Sequence, residues 1–164
     1  MRERLESAEH VVVVDVHTGL GPFAYDTLFV HAGDEGSEIY QVMKRTFGER
    51  VASLDPDRGP GYRVKGAYDS MYPRVFPDGE VYFLCQEFGT YHAVRALRAL
   101  RDENRWHHYG DGTADHPTKE ELKEKFSPDD ESWRQTVLDR GRVVISQALG
   151  LAFGDRLAAD FDKR

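Results

Sequence analysis

Cysteine is almost absent from the sequence, since the chain has one, Cys85, among 164 residues. A single cysteine excludes a disulfide bond within the chain and suits a reducing compartment. Long apolar runs are also missing, because none approaches the roughly 18 residues that a membrane-spanning helix needs. The first ten residues, MRERLESAEH, lack the apolar stretch of a signal peptide. We therefore expect a cytoplasmic protein with no membrane partner.

Positive charge is in deficit: 22 Lys and Arg residues stand against 29 Asp and Glu residues, and the formal net charge is −7. Proteins that bind nucleic acid need a surplus of Lys and Arg on at least one face to neutralise phosphates. The charge balance therefore argues against a nucleic-acid partner.

The remaining composition suffices for one folded domain, with 40% hydrophobic and 31% charged residues. Short apolar or β-branched runs predict strands at 11–15, 27–31 and 81–86. The first of these, VVVVD, is typical of a strand that is buried on both faces. Amphipathic stretches between the strands predict helices. The fold class predicted for residues 1–164 is therefore α/β, with a mixed sheet flanked by helices.

Capping residues and apolar spacing predict where two of the helices begin. Thr90 is expected to cap the first of them. Its core-facing residues are expected to be Val94, Leu97 and Leu100. Residues 110–120 are then expected to form a polar excursion. Ser127 is expected to cap the last helix, with Pro128 at its first position and acidic residues 129–131 at the positive end of its dipole.

Two polar residues follow the two most apolar strands: His17 comes after VVVVD, and Glu87 comes after VYFLCQ. In open α/β sheets, sites form outside the carboxyl ends of strands. Imidazole is a good zinc ligand, and a nearby carboxylate can take a proton from an activated water. Asp15 is a weaker candidate, which could hold the His17 ring through its other nitrogen. The competing interpretation is structural, with His17 as a satisfied buried group and Glu87 as a turn residue.

Three segments, VVVVDVHTGLGP, VYFLCQEFGTY and VRALRALRDENRWHH, together resemble the carboxyl-terminal half of a bacterial zinc-carboxypeptidase-like family. This family is known as the domain of unknown function DUF2817, and it is related to carboxypeptidase A and to the succinylglutamate desuccinylase and aspartoacylase group. The resemblance extends from about Glu9 to about Phe153. It implies that His17 is a zinc ligand. It also implies that Glu87 is the general acid/base in hydrolysis of a peptide or acyl-amino-acid amide bond.

The members of that family take two further zinc ligands from an upstream His-x-x-Glu motif. This sequence lacks the motif, because none of its seven histidines is followed three residues later by glutamate. The resemblance therefore implies a partial catalytic domain that is incomplete or inactive alone. The expected partners are a polypeptide corresponding to the amino-terminal half, or a second copy of the chain. The alternative is a non-catalytic remnant or interaction module of the same fold.

Two further features admit a functional and a structural interpretation. Cys85 shares a strand face with Glu87, so a nucleophilic cysteine is an alternative, although free cysteine usually behaves as a buried apolar residue. Three tyrosines lie where carboxypeptidase relatives place a substrate-contacting tyrosine: Tyr62, Tyr68 and Tyr72. Packing over the sheet is the competing interpretation for these aromatic side chains.

Overall fold

The computed structural model describes residues 8, 10–30, 35–54, 71–77, 79–111 and 113–154. Within these ranges the strands are β1 (His10–Thr18), β2 (Asp26–Val30), β3 (Val51–Ser53) and β4 (Glu80–Phe88). The α-helices are α1 (Glu38–Phe47), α2 (Tyr72–Val75), α3 (Ala93–Tyr109), α4 (Pro117–Phe126) and α5 (Glu131–Phe153), and a 3-10 turn covers Gly48–Arg50. The predicted α/β class is confirmed. None of the described helices combines the length and apolarity needed to cross a membrane. Tyr62 and Tyr68 lie outside the described residues.

The strands form one sheet in the order β1-β4-β2-β3. β2 and β3 are parallel, with Phe29 opposite Ala52. Just beyond the strand ends, the N–H of Gly89 donates to the carbonyl of Tyr25 at 2.8 Å. Because Tyr25 precedes β2 and Gly89 follows β4, these two strands run in opposite directions. The sheet is therefore mixed, as predicted.

Strand β1 differs from its prediction in burial and in length. Residues 11–15 are half-buried rather than buried on both faces, because β1 ends the strand order and has a neighbour on one side only among the described strands. The strand also continues past VVVVD to Thr18, just as β4 continues past Gln86 to Phe88. His17 and Glu87 therefore lie inside strands and not in the loops that follow them.

The chain forms two compact units that alternate along the sequence. The first unit contains Met1–Asp15, Leu28–Gln86 and Gly141–Arg164. The second unit contains Val16–Thr27 and Glu87–Arg140. Strand β4 contributes its apolar part to the first unit and its last two residues to the second.

The first unit has an apolar core built from the sheet, α1 and the later part of α5. Leu28, Met43, Leu84 and Val144 have no exposed surface. Burying each such side chain stabilises the fold by about 1.5–3 kcal/mol. Helix α1 supplies an amphipathic face to this core and begins at Ser37, whose Oγ accepts the N–H of Tyr40 at 3.2 Å.

In the second unit α3 packs against α4, and the large apolar side chains predicted to face the core are exposed. The predicted core stripe is wrong, because Val94 and Leu97 are 64% and 65% exposed and Leu100 is 41% exposed. Ala96 and Ala99 are buried instead. Apolar spacing alone does not reveal which positions of this helix are buried.

The predicted helix caps are also wrong at both positions. At the start of α3, Nδ1 of His92 accepts the N–H of Val94 at 3.3 Å, whereas Thr90 is buried. Ser127 terminates α4 by donating its N–H to the carbonyl of Lys123 at 2.7 Å. Helix α5 begins after Asp130, whose Oδ1 accepts the N–H of Trp133 at 2.8 Å. Its N-terminus is nevertheless acidic, as predicted.

The predicted polar excursion at 110–120 is wrong in its second half, where the first turn of α4 begins at Pro117. The ring of His116 caps this helix by accepting the N–H of Thr118 at 3.3 Å. His116 also stacks on Trp106 of α3, with ring centroids 4.3 Å apart. A proline at the first helical position was the sequence signal for this start.

Candidate metal centre

The last residues of β1 and β4 lie beside each other in the second unit and carry the two main candidate residues. The N–H of Gly19, directly after β1, donates to the carbonyl of Phe88 at 2.9 Å. His17 lies one residue before the end of β1, and Glu87 lies one residue before the end of β4. Nδ1 of His17 is 3.9 Å from Oε2 of Glu87, so the structure brings the two side chains together.

Glu87 is buried, whereas His17 faces solvent. The side chain of Glu87 is 8% exposed and that of His17 is 52% exposed. Oε1 of Glu87 accepts the N–H of Leu20 at 2.9 Å. Burial raises the pKa of Glu87 above its ordinary value, while the Leu20 N–H and the nearby His17 act to lower it. A carboxyl with a raised pKa beside an imidazole is better suited to accept and return a proton than an ordinary carboxyl is.

The loop after β1 orients the carboxylate, and glycine is required at its first position. Gly19 has a φ of +136°, and a Cβ there would lie 2.8 Å from the ring of Phe126. The hydroxyl of Thr18 donates to the carbonyl of Phe126 at 2.6 Å, which fixes the end of β1 against the same residue. This arrangement directs the N–H of Leu20 at Glu87.

A second glycine allows the two strand-end loops to approach closely. A Cβ on Gly89 would lie 1.9 Å from the carbonyl oxygen of Pro22. The carbonyl of Gly89 accepts two N–H groups, from Ala24 at 3.0 Å and from the indole of Trp133 at 2.9 Å. The glycines of the His-Thr-Gly and Glu-Phe-Gly segments therefore maintain the geometry around Glu87.

Two further candidate residues, Asp15 and Cys85, lie in β1 and β4. Asp15 lies two residues before His17 in β1, so the two side chains point to the same face of the strand, and Asp15 is half-buried. Cys85 is half-buried and lies in the part of β4 that belongs to the first unit. The roles suggested for these two residues stay predictions.

The sequence reasoning missed an aromatic and acidic cluster that follows Glu87. The hydroxyl of Tyr91 donates to Oε1 of Glu124 at 2.5 Å, and Nζ of Lys125 lies 4.7 Å from the Tyr91 ring centroid. The ring of Phe23 lies 5.8 Å from that of Tyr91. An aromatic residue soon after each strand end was the signal for this cluster.

It also missed a buried ion pair in the second unit. Nε of Arg140 lies 3.1 Å from Oδ1 of Asp26, and the Asp26 side chain has no exposed surface. No sequence signal identifies this pair, because the two residues are 114 positions apart.

The pair of His17 and Glu87 fits part of a zinc site. A half-exposed imidazole can reach a metal ion, and a buried carboxylate beside it can serve as a base. A catalytic zinc ion normally takes three protein ligands. One imidazole and one carboxylate are fewer than that number, so this pair alone is not a complete zinc site.

Comparison with known proteins identifies the family. A family model described as "Protein of unknown function (DUF2817)" matches residues 1–140. The chain belongs to the DUF2817 family. The match covers both strand ends of the candidate site and all of α3 and α4. No curated protein and no solved structure matches this DUF2817 chain.

Proposed function

We propose that this DUF2817 chain forms part of a zinc-carboxypeptidase-like hydrolase acting on peptide or acyl-amino-acid amide bonds. The observation that carries the proposal is the contact between His17 and the buried Glu87, with 3.9 Å between Nδ1 and Oε2. Membership of DUF2817 and the resemblance to zinc carboxypeptidases support it.

In this proposal His17 is one zinc ligand and Glu87 is the general acid/base. Zinc, when bound, supplies Lewis-acid polarisation of the amide carbonyl and of a water molecule. Because the Leu20 N–H occupies Oε1 of Glu87, Oε2 is the oxygen that faces His17. Oε2 therefore takes the proton from water and returns it to the leaving amine. The raised pKa of Glu87 favours that return, since it makes the carboxyl a proton carrier nearer to neutral pH.

The remaining zinc ligands are proposed to come from a polypeptide that carries the His-x-x-Glu motif or from a second copy of the chain. A single imidazole beside a carboxylate binds zinc weakly, because structural and catalytic zinc sites use three or four protein ligands. We therefore expect the chain alone to hydrolyse amides slowly or not at all, and to gain activity when the missing ligands are supplied.

The proposal is tested by measuring hydrolysis of N-acyl amino acids and blocked dipeptides, with and without added zinc. The assay uses the chain alone and the chain co-expressed with a polypeptide that carries His-x-x-Glu. We expect zinc-dependent hydrolysis that is abolished in Glu87→Gln and strongly reduced in His17→Ala. His108→Ala is the matched control, because His108 is an exposed histidine on α3. Hydrolysis that survives in Glu87→Gln at the wild-type rate would contradict the assigned role.

A non-catalytic remnant or interaction module is the alternative, and one contact favours it. The hydrogen bond from Leu20 to Glu87 gives the buried carboxylate a structural use, because it fastens the loop after β1 to β4. This alternative predicts no zinc-dependent hydrolysis under either condition. It also predicts that His17→Ala changes stability no more than other exposed histidine substitutions do.

A further inference from the structure

The first unit has a surface cavity of about 360 Å³ that the proposed hydrolase site does not use. Clefts that bind small molecules have volumes of about 300–1,000 Å³. Helix α1 forms one wall, and residues 76–77 and 79–82 form the other. The apolar part of the lining consists of Ile39, Val42, Phe76, Pro77 and Val81. The cavity is therefore large enough, and apolar enough, to hold the body of a small organic molecule.

The charged groups that line this cavity are both acidic. They are Glu38, in the first turn of α1, and Glu80, at the start of β4. Oε2 of Glu80 accepts the hydroxyl of Tyr82 at 3.0 Å, and Nδ1 of His10 lies 3.1 Å from the same oxygen. Partial burial raises the pKa of Tyr82, and the carboxylates of Glu80 and Glu38 raise it further. Negative charge from both glutamates therefore acts on one end of the cavity.

The arrangement suits an organic cation better than a metal ion. Among the described residues, His10, Glu38 and Glu80 do not converge to form a three-ligand metal group. Apolar walls contribute nothing to the coordination of a small inorganic ion, whereas they gain from contact with a hydrocarbon body. We infer that this cavity binds a small organic amine, with its ammonium group at the Glu38 and Glu80 end and its alkyl or aryl body against Ile39 and Phe76.

Phenethylammonium is the probe, and 2-phenylethanol is its uncharged counterpart of nearly the same shape. Binding is followed at neutral pH by backbone amide shifts of the intact, ¹⁵N-labelled chain. For a ligand of this size in an open cavity we expect a dissociation constant on the order of 1 mM. The shifts should concentrate at Ile39, Val42 and Val81, and the alcohol should bind more weakly.

Glu38→Gln and Glu80→Gln test the charge at the cavity directly. Because both carboxylates are solvent-exposed, each variant should weaken phenethylammonium binding by about 2- to 5-fold and leave alcohol binding unchanged. Glu121→Gln, on an exposed position of α4, is the matched control and should bind like the wild type. Three results would overturn the inference: no saturable shifts at the cavity, equal binding of amine and alcohol, or amine binding that both cavity variants leave at the control value.

Discussion

Replacing Glu87 with glutamine should stabilise the protein at neutral pH while removing any hydrolytic activity. The side chain of Glu87 is buried, and its carboxylate must lose most of its hydration when the chain folds. Glutamine has nearly the same shape, and its Oε1 can still accept the N–H of Leu20. The substitution therefore removes the charge and retains the hydrogen bond.

The pH dependence follows from the raised pKa of Glu87, whose ordinary value is 4.5. Between the ordinary and the raised pKa, the folded chain binds more protons at this site than the unfolded chain does. The stability that Glu87 contributes is thus fully present below about pH 4 and is lost as the pH rises through the folded-state pKa. Above that pH, Glu87→Gln should be more stable than the wild type by about 1 kcal/mol or less, since water near the strand end screens the charge.

Urea denaturation at pH 4, 5.5 and 7.5 measures this difference in the free energy of unfolding. We expect the stability gain of Glu87→Gln to be absent at pH 4 and to grow toward pH 7.5. Glu121→Gln replaces an exposed glutamate and should show no such trend. A Glu87→Gln variant that is less stable than the wild type at pH 7.5 would refute the reasoning, because it would show that the buried carboxylate is net stabilising.

Three further substitutions test the contacts around the site. Gly19→Ala should lower the free energy of unfolding, measured by urea denaturation, by about 1–3 kcal/mol, because Gly19 has a positive φ and a Cβ there would contact Phe126. Gly36→Ala is the control and should be nearly neutral, since Gly36 has open space around it. Equal effects of the two substitutions would contradict the contact with Phe126. Arg140→Leu should destabilise the chain by about 2 kcal/mol, less than for a fully buried pair because Arg140 is partly exposed. Asp26→Asn in the same background should recover part of that loss, and an unchanged or larger loss would contradict the pairing. Asp130→Ala should lower the urea midpoint more than Ser127→Ala does, since Asp130 caps α5. The reverse order would indicate that Ser127 is the cap, as predicted from the sequence.

The α/β class and the positions of β1, β2 and β4 could be predicted because they depend on local patterns, whereas the short strand β3 was not predicted. The run of valines before Asp15 is β-branched, and β-branched runs favour extended backbone wherever they pack. The orientation of α3 could not be predicted this way. Val94 and Leu97 have the spacing of a core face, but the buried residues of α3 are Ala96 and Ala99. Periodicity reports which side chains are apolar and not which helix lies against them.

The candidate residues could be named from the sequence, but their geometry could not. His17 and Glu87 were identified from their segments, and the structure places them 3.9 Å apart in neighbouring strands. The hydrogen bond from the Leu20 N–H links residues 67 positions apart, and it depends on a left-handed glycine and on Phe126 of a distant helix. Contacts of that kind form only when the chain folds, so a local pattern does not contain them.

A zinc titration of the intact chain, followed by its histidine ring signals, shows directly whether the strand end at His17 and Glu87 binds metal. We expect the His17 ring to respond at lower zinc concentration than the ring of His108, which is exposed on α3. We also expect Glu87→Gln to raise the zinc concentration needed at His17. Responses of His17 and His108 at the same zinc concentration, unchanged in Glu87→Gln, would contradict the claim that this strand end is a metal site.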